Sequence, residues 1–117
     1  MSAMTALTPV GGEGTTRVRV GVPFDIGHSA DLRQEFVAVL RAGSGLVLVD
    51  ISESTVIDQV GFATLLGAHA RAARAGRRLR FTGADERTTR LLRRAGLVRL
   101  LHDAEQLGRP RRDYAVG

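Results

Sequence analysis

Val56-Ile57-Asp58-Gln59-Val60-Gly61-Phe62-Ala63-Thr64-Leu65-Leu66 is the stretch whose reading decides the fold. A β-branched apolar pair runs into an acid, a Gly-bearing turn follows, and an apolar stripe of helical period then begins. Such a stretch carries the chain from a strand-side loop into the N-terminus of a helix. Free backbone N–H groups and the positive end of a dipole face solvent there, so a recognition site, for an anion above all, is expected at this junction.

Downstream, the helix is expected from Val60 to about Ala75, with Phe62, Leu65, Leu66, His69 and Ala73 on the buried face. Thr64, Arg71, Arg74 and Ala75 point outward on that reading, and Gly76 fits the C′ position of the cap. Arg77 to Thr82 alternates as a strand. Asp85 suits the N-cap of a helix burying Thr88, Leu91, Leu92 and Ala95 and closed by Gly96. Val98 to Leu101 reads as a last short strand, Asp103 to Leu107 as at best one and a half turns.

Upstream, Leu46-Val47-Leu48-Val49-Asp50-Ile51 is nearly continuous apolar, the pattern of a central strand covered on both faces. Before it, Ser29 serves as N-cap for a helix whose stripe is Leu32, Phe36, Val39 and Leu40. Val18, Val20 and Val22 alternate within a strand that Pro23 stops, because proline cannot donate to the ladder. Thr5 to Val10 can form only an edge strand, since it contains Pro9. The alternation of strands and helices implies an α/β fold with a largely parallel or mixed sheet and helices packed against it. Residues 1–16 are expected as a flexible segment or edge strand, 17–107 as the domain and 108–117 as a loose tail.

Composition narrows the function. The chain has 117 residues, 44% hydrophobic and 25% charged, enough for one domain with a real core. No apolar run approaches the roughly 20 residues of a membrane-spanning helix. The first residues lack a basic segment followed by an apolar one, so a cytoplasmic location is expected. Cysteine is absent, which removes disulfides and thiolate chemistry. His28, His69 and His102 are scattered without paired spacing, and no phosphate-binding Gly loop with a Lys occurs. His69 reads as a core or boundary histidine, and Ser29 and Ser44 as cap and turn residues. No catalytic constellation emerges, so an enzyme is not expected, nor a cofactor or metal.

What remains is the acid pair Asp25 and Asp58. Each stands where an apolar segment gives way to a turn, which places both at one end of the sheet, where sites of open α/β folds collect. The charge is uneven as well. Residues 1–68 carry four Arg against seven acids, whereas residues 69–117 carry thirteen Arg against five acids. Nucleic-acid binding through the Arg-rich half is the reading of a different class, and the same residues suit solvated helix faces. Only Phe81 and Tyr114 are aromatic in that half, which argues against stacking on single strands.

These residues resemble the STAS family (sulfate transporter and anti-sigma factor antagonist), in its compact stand-alone anti-sigma factor antagonist form. Val22-Pro23-Phe24-Asp25-Ile26 is similar to the family's Gly-Glu-Leu-Asp-Ile lead into the first helix, and Leu46 to Ile51 to its buried strand. Val56 to Leu66 is similar to the signature that usually reads Phe-Ile-Asp-Ser-Ser-Gly-Leu. Gly76-Arg77-Arg78-Leu79 and Leu91 to Leu97 are similar to the later Gly turn, strand and closing Ala-Gly-Leu. The resemblance implies a STAS-like α/β fold, an about four-stranded mixed sheet with helices packed against it.

It also implies a role in transcription regulation by partner switching. In the family the domain binds an anti-sigma factor, a serine kinase of histidine-kinase-like fold, and thereby frees the sigma factor. The kinase phosphorylates the second Ser of the signature, and the added dianion breaks the complex. This sequence departs at that point: the phosphoacceptor position is Val60 and the preceding Ser is Gln59. Val60 has no hydroxyl, so the switch cannot operate there; Ser54, Thr55 and Thr64 are the nearest alternatives. The resemblance therefore implies partner binding through Asp25, Asp58, Gln59, Val60, Gly61 and Phe62, without Ser phosphorylation in the turn. The alternative within the family is a STAS subunit or scaffold of another assembly, stressosome-like or of a lipid-transport ATPase complex.

Overall fold

The computed structural model describes residues 2–8 and 14–102. Four strands, β1 (Met4–Ala6), β2 (Thr16–Val20), β3 (Leu46–Asp50) and β4 (Arg78–Thr82), form one sheet in the order β1-β2-β3-β4. β1 runs antiparallel to β2, and the other two pairings are parallel. Helices α1 (Ser29–Arg41) and α2 (Gln59–Arg74) make the two crossovers, and α3 (Glu86–Arg94) follows β4. Because the strand order advances in one direction, both crossovers leave α1 and α2 on one face of the sheet, where they pack against each other. The four-stranded mixed sheet and the helices on it are those expected.

Period-2 alternation builds the core: Val18, Val20, Val47, Val49, Leu79 and Phe81 are all buried on the helix side. Leu32 and Phe36 of α1 and Leu65, Ala68 and Ala72 of α2 close over them. Phe24, from the loop after β2, stacks on Phe36 with centroids 6.4 Å apart and so ties that loop into the core. Both β3 faces are occupied, as its continuous apolar run requires: Leu48 is buried on the opposite side, flanked in register by Arg17 and Arg80.

Several local expectations need correction. The edge strand is Met4–Ala6 rather than Thr5 to Val10, and residues 9–13 lie outside the described residues. A side chain fixes it: the Glu35 carboxylate on α1 accepts the Ala3 N–H at 2.8 Å and the Met4 N–H at 3.0 Å. Ser29 is the first residue of α1 instead of its N-cap. Its hydroxyl donates back to the Ile26 carbonyl, while Asp25 accepts the His28 N–H at 3.0 Å. Thr64 is buried and Ala73 exposed, the reverse of the expected faces of α2. Gly61, Thr64, Ala68 and Ala72 form the inner line, and such small side chains contribute little to a stripe judged from large ones.

At the end of the domain, Val98–Leu100 is a 3-10 turn rather than a strand. Gly96, at φ +72°, reverses the chain tightly, so only Leu101 reaches the sheet, bridging to Phe81. Ala95 is exposed, not buried. The segment Asp103 to Leu107 and the tail 108–117 lie outside the described residues.

Candidate functional site

Two loops meet at the C-terminal end of the parallel strands, one before α1 and one before α2. They are joined as if by a further strand pair: Phe24 N–H donates to Thr55 O at 2.8 Å and Ile57 N–H to Phe24 O at 2.9 Å. Ser54 Oγ donates to the Val22 carbonyl at 2.6 Å. From α3, the Arg87 guanidinium donates to the carbonyls of Val56 at 2.6 Å and Ile57 at 3.0 Å. Every loop carbonyl so engaged reduces local opening, so the junction is a built platform rather than a free loop.

Asp58 is the fastener. As N-cap of α2 its Oδ1 accepts the Gly61 N–H at 2.7 Å, and its Oδ2 accepts the Ile26 N–H of the other loop at 3.0 Å. The Gly61 and Ile26 hydrogen bonds, with a weaker one from Val60, hold its carboxyl below the ordinary carboxylate value. Asp25 does the same work for its own loop, accepting the His28 N–H while His28 Nδ1 lies 2.7 Å from its Oδ1. The two acids thus come together at one end of the sheet, as expected.

Their geometry alters the expected role of the helix N-terminus. The anion at the start of α2 is the chain's own Asp58 carboxylate, which already occupies the position an external anion would take. Gly61 is buried, and a Cβ there would fall 1.7 Å from the Phe24 carbonyl oxygen; its role is to let α2 press against the neighbouring loop. Phe62 is half-buried and packs against the core. Of the six residues expected to contact a partner, Gln59 and Val60 are the ones presented outward.

The structure adds two residues that the sequence reading passed over. Large apolar side chains are exposed at four described positions, Leu7, Ile26 (70%), Ile57 (49%) and Val60 (38%), and the last three surround Asp58. Both isoleucines lie within the segments that resemble the family, but an apolar residue beside a strand is ordinarily assigned to the core. For Ile57 the exposure follows from the loop pairing, which turns Phe24 and Val56 inward and the residue after Val56 outward; Ile26 lies beyond the pairing, in the turn that leads into α1.

Comparison with known proteins agrees with this architecture. The family model described as "Mlab, STAS domain" matches residues 11–102, and the chain belongs to the STAS-domain family. Among solved structures, an anti-sigma factor antagonist from Mycobacterium paratuberculosis superposes with a TM-score of 0.65 at 20% identity, covering 92% of this chain and 97% of that one. The anti-sigma factor antagonist SpoIIAA in its unphosphorylated form gives 0.63 at 15% identity, covering 97% and 93%. The murine anion transporter Slc26a9 in its inward-facing state gives 0.61 at 16% identity; the match covers 74% of this chain and 14% of the transporter. At these identities the solved structures establish the shared fold. No curated protein matches the chain. Among the described residues, no helix is long and apolar enough to cross a membrane.

Proposed function

We propose that the protein is a non-enzymatic, cytoplasmic binding module of anti-sigma factor antagonist type, which regulates transcription by binding an anti-sigma factor without phosphorylation at its signature turn. The observation that carries this reading is the cluster of Ile26, Ile57 and Val60 on two loops that Asp58 fastens together. A rigid apolar patch with a polar rim supports a persistent protein contact, because little order remains to be gained on binding. Gln59 and Val60 offer no hydroxyl for a kinase. Thr64, one turn further, is buried and donates its hydroxyl to the Val60 carbonyl at 2.9 Å, which argues against it as a substitute site.

The test follows the missing hydroxyl. A complex with the anti-sigma kinase is expected to survive ATP, whereas Val60→Ser should become phosphorylated at that residue and be released. Release of the wild-type chain by ATP, with phosphate mapped to Ser54, Thr55 or Thr64, would contradict the proposal. A second reading, a constitutive STAS subunit of another assembly such as a lipid-transport ATPase complex, draws on the same residue: a permanent subunit needs no switch at Val60. Stoichiometric co-purification with an ATPase instead of a kinase would favour it.

A further inference from the structure

A groove between α1 and α2 runs away from the loop junction. Its first recess, about 180 Å3, begins at Val60 and is floored by Phe36, Thr64 and Ala68, with exposed Ala63 at its rim, Arg33 on one bank and Arg71 on the other. A second, about 390 Å3, continues past Arg71 to Leu40 and Ala75, with Arg41 at its edge. No Asp or Glu lines either recess, and Arg33, Arg41 and Arg71 form no ion pair, among the described residues. Gly67 lies in the first recess with open space where a Cβ would stand.

We propose that this groove docks an amphipathic helix of the protein partner whose apolar stripe is bordered by Asp or Glu. The inference rests on the function proposed above only through Val60, which belongs to both surfaces. From Val60 to Ala75 the groove follows α2 for roughly 22 Å, the length of about four turns of a helix laid along it. Helix-in-groove recognition sets apolar anchors at i, i+3/i+4 and i+7 into such a floor. The charge fixes the flanks: three arginines without a carboxylate leave guanidinium forks whose fitting counterparts are carboxylates. A nucleic-acid duplex would meet the arginines with its phosphates but leave the apolar floor empty.

The probe is a blocked helical peptide of about four turns, with Leu at that spacing and Glu on both flanks, titrated into the isotopically labelled full chain and followed by amide NMR. A second peptide carries Lys in place of Glu. The acidic peptide is expected to shift the amides of Arg33, Gly67 and Arg71 in a saturable way, and the Lys peptide to leave them in place. Gly67→Leu fills the floor, and the double variant Arg33→Glu/Arg71→Glu reverses the banks; each should weaken binding at least about tenfold. Gly67→Leu remains folded on this account, since its Cβ has room and leucine is the better helix former, which circular dichroism checks.

Absence of saturable shifts, equal shifts with the Lys peptide, or shifts confined to Arg87, Arg90 and Arg94 on α3 would overturn the proposal. Phosphatidylglycerol vesicles that displace the acidic peptide from the same amides would overturn it in favour of a lipid. The junction stands apart from the groove in one comparison with the whole protein partner. Binding lost in Ile26→Asp, which lies outside the groove, but kept in Gly67→Leu would discard the groove and leave the junction, and the opposite pattern would discard the junction.

Discussion

At Gly61 the first turn of α2 lies so close to the loop before α1 that any side chain would displace the Phe24 carbonyl. Gly61→Ala should therefore lower stability by about 2 kcal/mol or more through forced movement of the paired loops, read as a shift of the urea midpoint. Retention of the wild-type midpoint would mean that the loops yield freely. Arg77 is the other residue that holds elements together. It is buried, and its guanidinium donates to the carbonyls of Val39, Leu40, Ser44 and Gly45 and to Thr16 Oγ1. Two of those carbonyls belong to the last turn of α1, so Arg77, in the connection just ahead of β4, caps a helix distant in sequence, with its charge at the negative end of the dipole. Burial lowers its pKa, yet an Arg side chain remains protonated. Arg77→Met leaves these acceptors unpaired and should cost roughly 2 to 4 kcal/mol in denaturant unfolding. From sequence, Gly61 reads as a turn glycine and Arg77 as the first residue of an alternating strand. Neither the Phe24 carbonyl nor the end of α1 is a local feature, so the reasons for both residues stay hidden until the chain is folded.

At the scale of elements, α2 both frames the site and carries a titrating group. His69 is half-buried on it; burial first, then the charges of Arg80 and Arg99, hold its pKa below the ordinary 6.5. A histidine depressed on folding takes up protons more readily when unfolded. Its neutral form supports the fold above 6.5, and that support is lost as pH falls from 6.5 through the folded value. Unfolding free energy measured against pH should decline over that range, and His69→Gln should flatten the decline. A slope that is unchanged in the variant would assign the effect to other groups. A further loss is expected in acid, because Asp58 and Asp50 also have lowered pKa values: Asp58 through the N–H groups of Gly61 and Ile26, Asp50 chiefly through Ser52. Their contribution is present above 3.8 and is lost as pH falls through the folded values. The helices, the central strand and the caps at Asp85, Gly76 and Gly96 were legible because each has a local signature. The inward face of α2 was misassigned because Thr64, Ala68 and Ala72 pack through smallness. The last strand was misassigned because Val98 to Leu101 is short enough for either structure.

For the whole molecule, the Arg-rich second half is partly committed to the fold itself. Arg77 is internal, Arg87 braces the loop junction, and Arg80 and Arg99 donate to the carbonyls of Leu79 and Gly96. The remaining surface charge suits attraction of an acidic protein surface and fast association, a property of net charge rather than of fold. The candidate site was legible in part: Asp25 and Asp58 could be named from the junction's pattern and Gln59 and Val60 from the family resemblance, whereas Ile26 and Ile57 depend on two loops pairing at a separation of 32 residues. That pairing is what converts separate motifs into one surface. The central claim is that this surface binds the protein partner, and a calorimetric titration of the partner into wild type, Ile26→Asp and Val60→Glu tests it most directly. Both changes are at exposed positions, so thermal midpoints close to wild type are expected beside a loss of affinity of at least about tenfold in each variant. Folded variants that bind the partner with undiminished affinity would place the interface elsewhere on the molecule.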